Sequence, residues 1–156
     1  MIRYLFMDVD GTLTDGKIYM GPDGECFKAF DIKDGYAIAN ILPEQGITPV
    51  IITGRESLIV KRRFEELGVQ HVYQGVKDKK DLLKKLCHDG FEYSAYIGDD
   101  LNDFDCMRFI QQNGGVVGCP ADAAKEIIEM SDYVCVKNGG CGAVREFIDY
   151  LVKVKC

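Results

Sequence analysis

The feature that most constrains this chain is an apolar stretch, Tyr4 to Met7, that runs directly into Asp8, Asp10 and Gly11. Four consecutive apolar residues bounded by polar ones predict a short buried strand. Side chains alternate along a strand, so Asp8 and Asp10 can face the same side where the chain leaves the sheet, and Gly11 permits a sharp turn beside them. Two close carboxylates repel each other, and a hard cation such as Mg2+ with oxygen ligands offsets that repulsion. The motif predicts a divalent-metal site or, as the simpler alternative, a solvated turn that caps a helix.

The rest of the chain alternates apolar strand-like segments with amphipathic helical ones. A hairpin is predicted at 17–20 and 25–30, and it precedes a helix that Asp34 is expected to cap. Further strands are predicted at 47–52, 69–73, 93–97, 115–118 and 133–136, and further helices at 58–67, 77–86, 102–111, 123–130 and 143–153. Strict alternation of this kind predicts an α/β fold, a doubly wound parallel sheet, with residues 1–156 in a single domain.

The charge and the cysteines limit the partners and the compartment. A net charge of −6 argues against nucleic acid or an anionic membrane as the main partner. The seven cysteines are odd in number and show no Cys-x-x-Cys spacing, which favours reduced thiols and a cytoplasmic location. Met1 leads straight into the first strand, so we expect no signal peptide, and no apolar run approaches the length of a membrane span.

Polar residues follow several of the predicted strands. They are Asp8 with Asp10, Thr53, the stretch from Gln74 to Lys79, and Asp99 with Asp103. In a parallel sheet these strand ends converge on one crevice. Carboxylates there suit a divalent cation, a hydroxyl and a lysine suit phosphate oxygens, and one carboxylate remains to face the phosphorus.

Four segments, in this order, resemble the signature motifs of the haloacid dehalogenase superfamily of phosphotransferases, and the resemblance covers nearly the whole chain. They are Asp8–Thr14, Ile51–Gly54, a downstream lysine, and Gly98 to Asp103. The resemblance implies that Asp8 is a nucleophile forming an aspartyl-phosphate, and that Asp10 is the general acid and then the general base. It implies Mg2+ held by Asp8, the backbone carbonyl of Asp10, and Asp99, while Asp103 braces the lysine or the metal shell.

The resemblance also implies which groups hold the phosphoryl group. Thr53 and the amide of Gly54 would bind it, and Lys79 would neutralise it. Lys77 and Lys80 are rival candidates, but the segment from Gln74 to Lys79 resembles the superfamily's Gln-Gly-x-x-x-Lys pattern.

The chain further resembles a capless subgroup of the superfamily. Members usually carry a cap domain after the first or the second motif, whereas here these gaps have room only for a small hairpin and single helices. Capless members of this kind resemble the phosphatases of 3-deoxy-D-manno-octulosonate 8-phosphate and of nonulosonate 9-phosphates. Those are tetramers in which the hairpin of one subunit helps to close the site of the next, so we expect a homotetramer with shared sites. Specific matches include Lys28 to Phe30 and Gly139 to Glu146.

The subgroup implies a sugar-phosphate substrate and the residues that face it. Asp31, Ile32, Lys33, Asp34 and Gly35 would line the sugar side, and Arg55 and Arg63 would meet the sugar acid, because a guanidinium binds a carboxylate bidentately. Arg55 is typical of the octulosonate enzymes, whereas a glutamate there is typical of the nonulosonate type. Departures from the octulosonate pattern at Asp31, Ala37 and Ala39 keep the nonulosonate substrate as an alternative.

Two other interpretations come from different classes. The chain could be a non-catalytic domain, either a phosphoacceptor switch or an oligomerisation module, or a phosphatase for another small metabolite. Asp10 favours turnover, because a receiver-like switch would lack a second acid placed to supply a proton to the leaving group. The loop from Gly139 to Gly142 is most simply a turn before the last helix, although it could also close over substrate.

Overall fold

The computed structural model describes residues 1–87 and 90–154 of the chain. Its centre is a six-stranded sheet made of β1 Tyr4–Met7, β4 Thr48–Ile52, β5 His71–Tyr73, β6 Ser94–Ile97, β7 Val116–Cys119 and β8 Tyr133–Val134. The strand order is β5-β4-β1-β6-β7-β8, and every neighbouring pair is parallel. The first strand of the chain is therefore central, and Met7 is in register with Ile51 on one side and Ile97 on the other.

An antiparallel hairpin is inserted directly after β1. It consists of β2 Tyr19–Gly21 and β3 Gly24–Phe27 and forms a separate two-stranded sheet. The helices are α1 Ile32–Tyr36, a π-helical turn Ala37–Ile41, α2 Leu42–Glu44, α3 Leu58–Glu66, α4 Lys79–Leu86, a 3-10 turn Phe91–Tyr93, α5 Leu101–Gln112, α6 Lys125–Met130 and α7 Ala143–Val154. Within the described ranges, the segments after β1 and β4 hold only the hairpin and single helical stretches. The predicted doubly wound α/β architecture without a cap domain is thus observed.

The sheet is covered by helices on both faces because each central strand is apolar on both sides. Leu5 and Met7 of β1 join one buried cluster, together with Phe64 of α3 and Phe147 of α7. Phe6 points the other way and joins a second buried cluster. Burial of both faces is the expected environment of a parallel strand and explains the continuous apolar run in β1.

The start of the first helix differs from the prediction. Asp31, not Asp34, is the N-cap residue of α1, and its Oδ1 accepts hydrogen bonds from the amides of Lys33 at 2.7 Å and Asp34 at 3.3 Å. Asp34 is buried inside α1, where its Oδ1 accepts from the amide of Arg145 at 2.7 Å. The first amides of a helix have no acceptor within the helix. Asp34, which the sequence predicted to cap its own helix, therefore accepts a hydrogen bond from one such amide at the amino end of α7.

Several element boundaries also shift by a few residues, and one shift bears on the site. The fourth helix begins at Lys79 rather than at Lys77, because Asp78 is its N-cap and accepts from the amide of Asp81 at 2.8 Å. Lys79 thereby becomes the first helical residue and points inward. Among the described residues, every helix is too short or too polar to cross a bilayer.

Candidate active site

Asp8 and Asp10 follow the central strand at its carboxyl end. The Asp8 amide donates to the carbonyl of Ile97 at 3.1 Å, which extends the β1–β6 pairing into the loop that follows β1. Gly11 then adopts a φ of +93°, and a Cβ at this position would overlap the Asp99 carboxylate. Only glycine fulfils both conditions without strain, so Gly11 brings this loop against the loop that follows β6.

Lys79 lies between two buried carboxylates. Its Nζ is 2.6 Å from Asp8 Oδ1 and 2.8 Å from Asp103 Oδ1, and all three side chains are at most 4% exposed. Asp103 also accepts from the Tyr96 hydroxyl at 2.7 Å and from the Asp99 amide at 3.2 Å. Lys77, by contrast, is exposed at the surface. Of the three lysines that the sequence offered, the structure places Lys79 at the Asp8 carboxylate.

The electrostatics of this cluster are strongly acidic. Burial, followed by the charge of Asp103, raises the pKa of Asp8 well above its ordinary value, although Lys79 acts against both effects. Burial and then the Asp103 charge raise the pKa of Asp99 to about 6. Burial alone would lower the pKa of Lys79, but the charges of Asp8 and Asp103 raise it. Among the described residues of this cluster, Lys79 is the one cation beside the carboxylates of Asp8, Asp99 and Asp103. The excess of negative charge favours the binding of a second cation.

The same cluster fits a divalent metal ion. Carboxylate oxygens of Asp8, Asp99 and Asp103 all lie within 4.8 Å of one another, and Thr12 Oγ1 donates to Asp99 Oδ1 at 3.1 Å. Hard oxygen donors with excess negative charge are the ligand set that Mg2+ takes in proteins. The structure brings together Asp8 and Asp99, as predicted, and it places a carboxylate oxygen of Asp103 within 4.8 Å of both. The Asp10 carboxylate pairs with Lys28 and not with this cluster. The prediction for Asp10 in the metal site is therefore a prediction for its backbone carbonyl.

The predicted phosphate-binding residues follow the neighbouring strand. Thr53 comes directly after β4 and is only 2% exposed. Its amide donates to the carbonyl of Tyr73 at 3.0 Å, and its carbonyl accepts from the amide of Val76 at 3.1 Å. These bonds join the loops that follow β4 and β5. Gly54 is the exposed residue next in the chain, so its surface is open to a ligand.

The Asp10 carboxylate is held by cations from two different segments. Its Oδ1 pairs with Lys28 Nζ at 2.5 Å, and its Oδ2 lies 4.0 Å from Arg55 Nε. Glu25 pairs with the same lysine at 2.7 Å and lies 3.7 Å from Arg55 Nη2. Burial alone would lower the pKa of Lys28, but its bonds to Asp10 and Glu25 raise it. Sequence reasoning assigned no site role to Lys28 or Glu25, although Lys28 stands in a stretch that matches the capless subgroup.

Four of the residues predicted to face the sugar line one small cavity between α1 and α3, namely Asp31, Asp34, Gly35 and Arg63. Ile32 and Lys33 are exposed on the outer side of α1, while Asp34 is buried and turned toward α7. Arg63 pairs with Glu66 at 2.9 Å and stacks over the Phe30 ring at 5.8 Å. A Cβ at Gly35 would overlap the Arg63 guanidinium, so this glycine makes room for it. Arg55 is thus the predicted arginine that lies near Asp10, and Arg63 packs between α1 and α3.

The glycine-rich loop before α7 contacts the loop that follows β1. Gly140 donates its amide to the carbonyl of Thr12 at 3.2 Å, and Gly139 donates to Asp122 Oδ1 at 2.9 Å. A Cβ at Gly139 would overlap the carbonyl of Gly11. The backbone of this loop thus approaches the backbone of the loop after β1 so closely that only glycine fits. The interpretation as a simple turn did not include this contact.

The whole chain is similar to several known proteins. No family model matches it. The 3-deoxy-D-manno-octulosonate 8-phosphate phosphatase KdsC of Escherichia coli strain K12 is 45% identical over 155 residues, which cover 97% of this chain and 79% of that protein. The crystal structure of the corresponding phosphatase from Moraxella catarrhalis, in complex with magnesium, phosphate and KDO, is 39% identical with a TM-score of 0.89, covering 97% of this chain and 86% of that one. A haloacid dehalogenase (HAD) superfamily hydrolase of subfamily III A from Legionella pneumophila is 35% identical with a TM-score of 0.87, covering 97% and 82%.

Two aspartates follow the central strand of this doubly wound sheet, and a lysine contacts the first of them. Two more aspartates follow the neighbouring strand β6. Together with the similarities above, these features define a phosphotransferase of the haloacid dehalogenase superfamily. Within that superfamily, the chain belongs to the 3-deoxy-D-manno-octulosonate 8-phosphate phosphatase family. It is a phosphatase, as the resemblance of its motifs implied.

Proposed function

We propose that this phosphatase hydrolyses 3-deoxy-D-manno-octulosonate 8-phosphate with Mg2+ as its cofactor. The observation that carries the proposal is the buried Asp8 carboxylate, held by Lys79 within the Asp8–Asp99–Asp103 cluster. The identity to KdsC, and the magnesium, phosphate and KDO bound by the Moraxella enzyme, support both the substrate and the metal. Arg55 beside Asp10 supports an acidic sugar, because a guanidinium binds a carboxylate well.

In this proposal the residues of the chain divide the work between two half-reactions. Asp8 attacks the phosphorus, the bond to the sugar oxygen breaks, and Asp10 gives that oxygen a proton. Asp10 then takes a proton from the water that hydrolyses the aspartyl-phosphate. Thr53, the Gly54 amide and Lys79 hold the phosphoryl oxygens through both steps. Asp8, Asp99 and the Asp10 carbonyl would hold Mg2+, with Asp103 beside them, and the ion would supply positive charge that offsets the repulsion between carboxylate and phosphate.

Phosphate release from a panel of phosphorylated sugars in Mg2+ tests the substrate. The panel includes the octulosonate 8-phosphate, nonulosonate 9-phosphates and neutral sugar phosphates of similar size. A kcat/KM for the octulosonate ester well above all others would support the proposal. A preference for a nonulosonate ester, or an even and low activity over the panel, would contradict the proposed substrate.

The assembly is a further part of the proposal: a cytoplasmic homotetramer of single-domain subunits, with the hairpin of one subunit beside the site of the next. Support comes from large apolar side chains that are exposed on the hairpin and on α1, namely Met20, Phe27, Ile32 and Tyr36, at 53–80% exposure. Side chains of this size at one end of a small domain favour a protein interface. The odd number of cysteines, without paired spacing, supports the cytoplasm.

Deleting the hairpin tip from Gly21 to Gly24 is expected to weaken the assembly and to raise KM. Gly21 to Gly24 join β2 to β3, so the deletion shortens both strands and displaces the exposed Met20 beside them, while the hairpin base stays with Asp10. Light scattering after size-exclusion chromatography and steady-state kinetics measure the two effects. Asp23→Asn, at the exposed tip, is the control that alters the sequence without shortening the strands. A deletion variant that remains a tetramer with unchanged KM would refute the shared site.

A further inference from the structure

Lys28 is a buried cation that the mechanism above does not use. It follows directly after β3, and its side chain is only 1% exposed. Its Nζ lies between two carboxylates, at 2.5 Å from Asp10 Oδ1 and 2.7 Å from Glu25 Oε1. Removing a lysine from water is unfavourable unless opposite charges compensate it. The fold therefore stabilises this cation at one specific oxygen of Asp10.

Glu25 ties this contact to two other loops of the site. Its Oε2 accepts a hydrogen bond from Ser57 Oγ at 2.9 Å, and the Ser57 amide donates to Gln74 Oε1 at 2.8 Å. The base of the hairpin is thereby fixed to the loops that follow β4 and β5. Asp10, Glu25, Lys28 and Arg55 form a group of two negative and two positive charges. Because these charges balance, the group needs no further ion to be stable at the mouth of the site.

The two oxygens of Asp10 are not equivalent in this arrangement. Oδ1 is occupied by Lys28, whereas Oδ2 lies 4.0 Å from Arg55 Nε, which is beyond hydrogen-bonding distance. Without Lys28 the side chain could rotate, and Oδ1 would no longer be distinguished from Oδ2. A carboxylate transfers a proton efficiently only when one oxygen is held toward the reacting atom.

We propose that Lys28 is a positioning residue that binds Asp10 Oδ1 and so directs Asp10 Oδ2 toward the leaving oxygen of the substrate. The inference rests on the proposed function, since it deepens the role given there to Asp10. Glu25 supports Lys28 from the opposite side. The base of the hairpin, through Glu25 and Lys28, thus contributes to the site of its own chain. This contribution does not depend on what the tip of the hairpin contacts.

The leaving group provides the test, because a sugar alkoxide needs a proton whereas p-nitrophenolate leaves readily without one. For Lys28→Met we expect kcat/KM with octulosonate 8-phosphate to fall by about 10²-fold, the contribution of one general acid, and kcat/KM with p-nitrophenyl phosphate to change little. We compare kcat/KM because it reports the steps up to the aspartyl-phosphate and not its hydrolysis, in which Asp10 acts on both esters alike. Lys28→Arg should restore part of the loss, because a guanidinium can keep the ion pair. Lys17→Met, an exposed lysine near the same hairpin, is the matched control.

A second variant separates positioning from charge imbalance. Lys28→Met leaves Asp10 and Glu25 facing each other, and the double variant Glu25→Gln/Lys28→Met removes that repulsion. We expect the double variant to show the same selective loss with the sugar ester. Equal losses on both esters, or wild-type rates in either variant, would overturn the proposal. If the wild type leaves octulosonate 8-phosphate intact, the proposed substrate fails, and the same comparison with β-glycerophosphate as the alkyl ester still tests Lys28.

Discussion

Replacement of Asp8 by asparagine is expected to reduce phosphate release by about 10⁴-fold or more, because loss of a nucleophile removes the chemical step itself. The amide has nearly the same shape as the carboxylate but is a very poor nucleophile. The fold should persist, because the Lys79–Asp103 pair at 2.8 Å remains and one buried negative charge is lost. Release of phosphate in Mg2+ and the thermal unfolding midpoint Tm measure the two effects.

Asp105→Asn is the matched control for this variant, since Asp105 is an exposed aspartate on α5, two positions after Asp103 of the acidic cluster. It should keep both the wild-type rate and the wild-type Tm. Substantial turnover by Asp8→Asn would contradict the nucleophile assignment. A large fall in its Tm would instead show that Asp8 is needed to hold the loop together.

Lys79→Met is expected to lower the free energy of unfolding by about 3–5 kcal/mol, the range for breaking a buried ion pair by removing one partner. Three carboxylates, on Asp8, Asp99 and Asp103, would then remain close together without their cation. Phosphate release should be lost as well, because the phosphoryl group would lose its lysine. Urea unfolding in the presence and absence of Mg2+ measures the change. The loss should be smaller in Mg2+, because the variant's more negative cluster should bind the ion more tightly than the wild type does, and an ion that binds only the folded state stabilises it.

Lys77→Met serves as the control for Lys79→Met, because Lys77 is exposed two positions earlier and was the rival candidate for the same role. Its stability and activity should stay near those of the wild type. If Lys77→Met were inactive and Lys79→Met active, the lysine of the site would have been misassigned. An unchanged unfolding free energy for Lys79→Met would refute the view that one cation balances this cluster.

The parts of the fold that follow from local pattern were predictable from the sequence. The strand from Tyr4 to Met7 has the predicted limits, because four apolar residues end in two acids that cannot continue a buried strand. Thr53 and Asp99 follow from the same reasoning, since strand ends meet at one edge of a parallel sheet. Lys79 was preferred to its neighbours on motif spacing alone, and its burial is consistent with that choice.

The parts that depend on distant contacts were not predictable in the same way. Asp34 was read as a helix cap because it precedes an apolar segment, but its carboxylate satisfies an amide that is 111 positions further along the chain. Lys28 was given no role in the site, since no local pattern distinguishes a buried lysine from an exposed one. Its partner Asp10 lies 18 positions earlier, on the other side of the hairpin.

The central position of β1 sets an order in which the site can be completed during synthesis. Asp8 emerges from the ribosome early, yet Lys79 follows it by 71 positions, and Asp99 follows Thr12 by 87. A nascent chain therefore carries the Asp8 carboxylate through the synthesis of 71 further residues before the lysine that balances its charge is made. Contacts so distant in sequence form slowly, and the acidic cluster closes only after α5 has been made. Affinity for a divalent cation is thus acquired only after about two thirds of the chain has been made.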